Sequence, residues 1–260
     1  MRPSTLAYLT SVLLSVPLYA SELPPLKLDA KVTLSGLSSG AYMAGQYHLA
    51  FADQVDGVAM LAAGPVYCAQ NSLGLALEHC FNKATSAPDM AVINAYIKQQ
   101  QAEGQLAPLS ALEDDKVWIF HGSKDTTVYP ALATTLYQQY QHWIKSDNIA
   151  LINDKAFGHT FPTKRSDLGR CDLSESPFLA SCDYDAAGAL LQHLLGEVQP
   201  HSSHTTGQMH AINQHQLAPA AVGTLAETGY VYVPQSCESG QHCRLHVSFH
   251  GCKQNADNVG

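Results

Sequence analysis

Gly36-Leu37-Ser38-Ser39-Gly40 has the Gly-x-Ser-x-Gly pattern of a nucleophile elbow. In such an elbow a tight strand-to-helix turn strains the serine backbone, and the flanking glycines remove side chains that would clash. Ser38 holds the middle position and is the expected nucleophile; Ser39 is expected to offer its backbone N–H. A serine needs a base, and the base needs an orienting carboxylate. With the chain order serine, acid, histidine, and each partner on a loop after a strand, Asp125 fits the acid and His159 the base. Asp125 follows the apolar run Val117-Trp118-Ile119-Phe120, and His159 lies in Phe157-Gly158-His159-Thr160-Phe161-Pro162. Asp114 and Asp115 precede that apolar run, on the wrong side of a sheet, and Asp154 sits only five residues before His159.

Thirteen histidines compete for the base. His48, His79 and His193 have no strand end before them and read as packing or surface residues. His121 ends a strand but lies upstream of Asp125, against the chain order, and reads as a supporting residue. His201, His204, His210 and His215 are irregularly spaced, without a carboxylate or cysteine partner, so no metal is expected there. Acyl chemistry also requires two N–H donors for the developing oxyanion. Ser39 supplies one. The second usually comes from a His-Gly loop upstream of the serine, and nothing upstream qualifies. His250-Gly251-Cys252, after the strand-like His246-Val247-Ser248-Phe249, is the alternative, which implies a circular permutation of the sheet.

The elements that would carry these residues alternate. Strands are expected at Lys31–Ser35, Gly57–Ala63, Lys116–His121 and Asn148–Asn153, and helices at Ala41–Ala52, Asp89–Glu103, Pro130–Ser146 and Asp183–Val198. In the first helix Met43, Tyr47 and Phe51 share a face; in the last, Leu190, Leu191, Leu194 and Leu195 form the buried side. This alternation predicts an α/β fold with a mostly parallel sheet and helices on both faces. Residues 199–207 read as a linker or surface loop. Beyond it, consecutive strands are expected at Met209–Leu217, Tyr230–Pro234 and Arg244–Phe249, forming either a second domain or the edge of the same sheet.

Only 14% of the 260 residues are charged and the net charge is −8. Nucleic-acid binding, which needs clustered Lys and Arg, is excluded on these grounds, and nothing attracts the chain to an anionic membrane. A neutral substrate fits. Arg2 followed by the apolar stretch Leu6–Leu18 and Tyr19-Ala20 reads as a signal peptide over residues 1–20, too short and too interrupted by Pro17 to span a bilayer. Residues 21–260 are left for the folded part. The seven cysteines agree with export: Cys68/Cys80, Cys171/Cys182 and Cys237/Cys243 form close pairs suited to disulfides, and Cys252 is left over. Spacing does not prove the connectivity.

As an ordered set, several segments resemble the extracellular poly(3-hydroxybutyrate) depolymerases, most nearly the single-domain, circularly permuted type. They are Gly36–Gly40 with Tyr42-Met43-Ala44, Ala63-Gly64-Pro65, Gly122–Val128, Gly158–Thr163, Cys182-Asp183-Tyr184-Asp185, Gly229–Cys237 and His250-Gly251-Cys252, over roughly residues 30–260. The resemblance implies a circularly permuted α/β-hydrolase fold and a Ser38–Asp125–His159 triad. It also implies an oxyanion hole from the N–H groups of Ser39 and Cys252, and hydrolysis of an aliphatic polyester or hydroxyacid oligomer through an acyl-enzyme. A secreted monomer, extracellular or periplasmic, without cofactor or metal, is expected. Family members continue past the position of Gly260 with a helix, a strand and a Cys-Trp-rich loop, so the resemblance marks the catalytic domain as C-terminally truncated. The alternatives are an esterase of small esters or oligomers, an inactive remnant, and an amidase or peptidase using the same triad.

Overall fold

A computed structural model describes residues 23–81, 87–199 and 206–259. The expected signal peptide, His201 and His204 lie outside the described residues. In chain order the elements are β1 (Lys27–Leu37), α1 (Ser39–Ala50), β2 (Val55–Leu61), α2 (Leu73–His79), α3 (Met90–Ala102), β3 (Lys116–Phe120), α4 (Ala131–Tyr140) and β4 (Ile149–Ile152). Short strands β5 (Phe161–Thr163), β6 (Gly169–Arg170) and β7 (Leu179–Ser181) precede α5 (Ala186–Leu195). Then come β8 (Gly207–Asn213), β9 (Thr228–Pro234) and β10 (His242–Phe249).

The described residues divide into two compact units, a larger one within residues 28–199 and 243–259, and a smaller one holding 23–27 and 206–242. The larger unit is built on a five-stranded sheet of order β10-β1-β2-β3-β4. β1 through β4 are mutually parallel. The last strand in sequence thus lies beside the first, the permuted arrangement expected from the position of His250-Gly251-Cys252. β5, β7 and β6 form a separate small sheet. The smaller unit is the antiparallel pair β8–β9, with Met209 opposite Tyr232 and Ala211 opposite Tyr230.

Both faces of the parallel sheet are covered, which explains its near-continuous apolar strands. On one face Leu34, Val58, Met60, Val117 and Ile119 pack against α1, α3 and α4 through Ala44, Leu49, Ile93, Ile97, Leu136 and Tyr140. On the other, Leu37, Leu61, Trp118 and Phe120 meet Ala186, Leu190 and Leu194 of α5. Each such Leu or Ile contributes about 1.5–3 kcal/mol on burial. Asp89 and Asp185 start α3 and α5 by accepting backbone N–H groups of Ala91, Val92 and Gly188.

Three sequence expectations are corrected here. α1 buries Gly40, Ala41, Ala44, Gly45, His48 and Leu49 rather than the Met43–Tyr47–Phe51 stripe, because a helix entering directly behind a tight turn lies too close to the sheet for large side chains. Met43 and Phe51 are exposed. The helix expected over Pro130–Ser146 ends at Tyr140, and the chain turns so that Lys145 N–H donates to Glu113 O at 3.1 Å. The strand expected over Met209–Leu217 stops at Asn213, whose side chain accepts the Gln216 N–H and starts a helical turn over Gln214–Leu217. His48 is a fully buried packing residue, 3.0 Å from Asp115 Oδ2 and 3.2 Å from the Tyr140 hydroxyl. That network accounts for Asp115, on the far side of the sheet from the site.

β1 and β10 share a polar stripe. Thr33 Oγ1 lies 2.9 Å from His246 Nδ1, His246 Nε2 lies 2.9 Å from Ser35 Oγ, and Ser35 donates to Ser248 Oγ at 3.1 Å. Burial pushes the His246 pKa down to about 4, against about 6.5 in an unfolded chain. Between these values the unfolded state binds the extra proton, so the His246 contribution is complete above pH 6.5 and fades as pH falls toward 4. The expected loss is about 1–2 kcal/mol, discounted for partial exposure. Thermal melts of wild type and His246→Gln between pH 4.5 and 7.5 check it: the variant's Tm should depend less steeply on pH.

Candidate active site

The carboxyl ends of the four parallel strands fall on one line, with Leu37 paired to Leu61, Leu61 to Phe120 and Phe120 to Ile152. The ladder continues one step beyond: Ser38 N–H donates to Leu61 O, Ala62 N–H to Phe120 O and His121 N–H to Ile152 O, at 2.8–2.9 Å. Ser38 therefore leaves β1 on a fixed rail. Its φ of 59° and ψ of −126° place a non-glycine residue in a strained region, at a cost of about 1–3 kcal/mol. Its carbonyl accepts the N–H groups of Ala41 and Tyr42, while its side chain caps nothing. Both glycines of the elbow are required by contact: a Cβ on Gly36 would lie 2.2 Å from Gly40 O, and one on Gly40 2.1 Å from Phe249 O.

Asp125 and His159 meet beyond β3 and β4. Asp125 is 5% exposed and His159 2%. Asp125 Oδ1 accepts the Thr127 and Val128 N–H groups at 2.7 and 2.9 Å, and His159 Nδ1 lies 2.8 Å from Oδ2. Burial alone would raise the Asp125 carboxyl, but hydrogen bonds from His121 and His159 outweigh it and hold the group well below the usual carboxylate range. The two loops are laced together: Ser123 N–H donates to Lys155 O, Lys124 N–H to Phe157 O and Gly158 N–H to Cys171 O. The His159 N–H donates to Ser174 Oγ at 2.8 Å, and the Phe178 ring stands edge-on to the imidazole. A disulfide joins Cys171 to Cys182 behind this loop. With Nδ1 engaged, Nε2 is the nitrogen left for proton transfer. Ser38 shares this end of the sheet, and among the described residues it has no hydrogen bond to His159.

Ser39 is the first residue of α1. The segment His250-Gly251-Cys252 runs past the same turn, since a Cβ on Gly251 would stand 2.8 Å from Leu37 O. The Gly251 N–H is used by Gln254 Oε1 at 2.8 Å. Cys252 is exposed with a free thiol. Gln254, Ser174 and the two backbone donors to Asp125 carried no sequence signal, because each acts through a local turn rather than a motif. Asp154 is exposed and pairs with Lys155, and His193 bonds Asn148 O. Among the described residues no group of three or more His, Cys, Asp or Glu side chains is placed to hold a metal ion.

Beside Ser38 lies a cavity of about 360 Å³ whose lining includes Ser39, Tyr42, Tyr67, Leu73 and Phe81. The Cys68–Cys80 disulfide and α2 form one wall. The Tyr42 hydroxyl donates to Cys80 O at 2.9 Å, and burial pushes its pKa far up, so it stays neutral. Tyr67 stacks on Tyr96 at 4.0 Å, and buried Gln139 clamps the backbone of Val66. Cys237 and Cys243 are also disulfide-bonded. Among the described residues the cavity wall is uncharged.

No family model matches the sequence. A polyhydroxybutyrate depolymerase of Talaromyces funiculosus is 33% identical over 246 residues, covering 93% of this chain and 70% of that protein. The chain belongs to the polyhydroxybutyrate depolymerase family. A poly(3-hydroxybutyrate) depolymerase of Delftia acidovorans is 34% identical over 247 residues, covering 92% of this chain; the chain spans about half (49%) of that protein's length. Among solved structures, the depolymerase of Penicillium funiculosum superposes with a TM-score of 0.82 at 32% identity, over 92% of this chain and 75% of that one. A depolymerase variant complexed with an R3HB trimer gives 0.81 over the same shares. This depolymerase-family chain thus has the permuted α/β-hydrolase architecture that its motifs implied.

Proposed function

We propose that this chain is a secreted serine ester hydrolase acting on poly(3-hydroxybutyrate)-like polyesters or their oligomers. One observation carries the reading: a strained serine whose hydroxyl caps nothing stands on the strand-end line that also carries the buried Asp125–His159 pair. In the proposed reaction His159 Nε2 takes the Ser38 hydroxyl proton as Oγ attacks the ester carbonyl. The oxyanion is received by the N–H groups of Ser39 and Cys252. Collapse breaks the ester C–O bond, and the leaving alkoxide takes the proton from His159. Water, deprotonated in turn by His159, then hydrolyses the acyl-enzyme and restores Ser38. Asp125 stays ionised throughout and steadies the imidazolium.

The cavity beside Ser38, uncharged among the described residues, suits an aliphatic acyl or alcohol unit, and its modest size favours oligomer ends as much as polymer interiors. Narrowing it supplies a test of that assignment. Ala76→Trp, on the α2 wall, is expected to raise KM for a p-nitrophenyl hexanoate about tenfold while leaving the acetate ester within about twofold. Secretion is supported by the leader-like residues 1–20 and by the disulfides. Among the described residues no helix is long and apolar enough to cross a membrane.

The deciding experiment incubates the purified full chain with p-nitrophenyl butyrate, a soluble 3-hydroxybutyrate trimer and a polyester film, and separately with an activated phosphonate ester. Hydrolysis together with a phosphonate adduct on the peptide containing Ser38 supports the proposal. A folded chain that hydrolyses none of the three, or carries the adduct on another residue, overturns it. Release of acid from the trimer without film clearing would assign the oligomer substrate.

A further inference from the structure

His121 is completely buried and takes no part in the reaction above. Its Nε2 lies 3.0 Å from Val128 O and 3.2 Å from Asp125 Oδ2. Both neighbours are acceptors, a carbonyl and a carboxylate, so Nε2 must carry the hydrogen and share it between them. Nδ1 is buried without a hydrogen-bond partner among the described residues, as the bare nitrogen of that tautomer can be. The same Oδ2 accepts from His159 Nδ1 at 2.8 Å. One carboxylate oxygen thus holds two imidazole donors, while Oδ1 is fixed by the Thr127 and Val128 N–H groups.

We infer that His121 is a positioning residue that locks the Asp125 carboxylate in the rotamer His159 needs and tempers its negative charge. The inference rests on the proposed esterase reading. Two hydrogen bonds and one close contact around Val128 make the lock geometric: its N–H holds Oδ1, its carbonyl holds His121, and His121 Nε2 closes the ring at 3.2 Å from Oδ2. The carboxylate cannot rotate about its terminal bond without leaving at least one donor unpaired inside the protein. The second donor also disperses charge that would otherwise bind the protonated His159 more tightly. The titratable groups facing Asp125 are His121, His159 and, across the elbow, Tyr42. Tyr42 remains neutral, so among the described residues the two histidines set the local balance.

The test compares His121→Met, which keeps bulk and removes the donor, with His121→Gln, whose amide N–H reaches the place of Nε2. On p-nitrophenyl butyrate, His121→Met is expected to lower kcat about tenfold to a hundredfold with KM within about twofold. The acid limb of its kcat/KM profile is expected to move to higher pH, because an undispersed carboxylate favours the protonated base. His121→Gln should retain at least about half of wild-type kcat and the wild-type limb. Equal impairment of Met and Gln variants, or a fully active Met variant, overturns the inference. If His121→Met does not fold, His121→Asn takes its place, since its shorter amide stops short of Oδ2: impairment beside an active Gln variant supports the lock, and equal activity overturns it. In the ¹⁵N-histidine spectrum of the full wild-type chain, His121 should carry its proton on Nε2; a proton on Nδ1 overturns the assignment whatever the activity. Wild type that neither hydrolyses the ester nor takes the phosphonate label at Ser38 fails the esterase reading instead, and the tautomer measurement still decides this one.

Discussion

Asp125→Asn is expected to lower kcat/KM for p-nitrophenyl butyrate by about 10³–10⁴-fold while leaving the chain folded. The reason lies in which oxygen is already committed. Oδ1 accepts two backbone N–H groups, from Thr127 and Val128, so the amide of an asparagine must keep its oxygen there. Its NH₂ group then occupies the place of Oδ2 and meets His159 Nδ1 as a donor. Such a contact selects the tautomer with the proton on Nε2, which cannot accept a proton from Ser38. The same NH₂ faces His121 Nε2–H, donor against donor, where the wild type has a 3.2 Å attraction. Stability should change with pH as well. Asp125 is held below the usual carboxylate range, so its contribution is present above the unfolded value near 3.9 and is lost as pH falls below that. Steady-state kinetics with thermal melts at pH 7 and pH 3 separate the effects: the Asn variant should be nearly inactive at pH 7, and its stability should depend less on acid than that of wild type.

Gly40→Ala is expected to cost about 10²–10³ in kcat by spoiling the proposed oxyanion site without touching a proposed reacting side chain. A Cβ at residue 40 would stand 2.1 Å from Phe249 O and 2.6 Å from His250 O, both backbone atoms. Neither can move as a side-chain tip would, so the segment leading to Cys252 must shift away from the elbow. Overpacking of this kind costs about 1–3 kcal/mol, a Tm drop of about 5 °C in a chain this long. KM should change little, because the cavity wall formed by Tyr67, Leu73 and Phe81 lies elsewhere. A variant with wild-type kcat would show that residues 249–252 do not set the oxyanion site.

Much of the candidate site was legible because the proposed chemistry leaves local marks. A serine elbow needs glycines at fixed offsets, and an acid and base at strand ends follow an apolar run, so Ser38, Asp125 and His159 stood out from thirteen histidines and many carboxylates. Close cysteine spacing foreshadowed the Cys68–Cys80 and Cys171–Cys182 bridges. Residues acting through backbone geometry left no such mark. Gln254 and Ser174 serve single N–H groups, and α2, which walls the cavity, has no buried residue to give it a periodic stripe. In α1 the large apolar residues misled, since proximity to the sheet selects Gly40, Ala41, Ala44 and Gly45 for the inner face. The helical turn at Gln214–Leu217 was hidden by β-prone neighbours, and only the Asn213 cap distinguishes it.

The common finishing line of β1 to β4 has a consequence for how the chain can change in length. One residue inserted inside β3 would carry His121 and Asp125 to the opposite side of the sheet, because side chains alternate with every step. The same insertion at Glu103–Gln105, just after α3, would reach an exposed turn at the far end of the strands, at small cost in closure entropy. The molecule is therefore elastic on one rim and rigid on the other. Length variation has free play at the rim where the strands begin and almost none within the strands whose far ends place Ser38, Asp125 and His159.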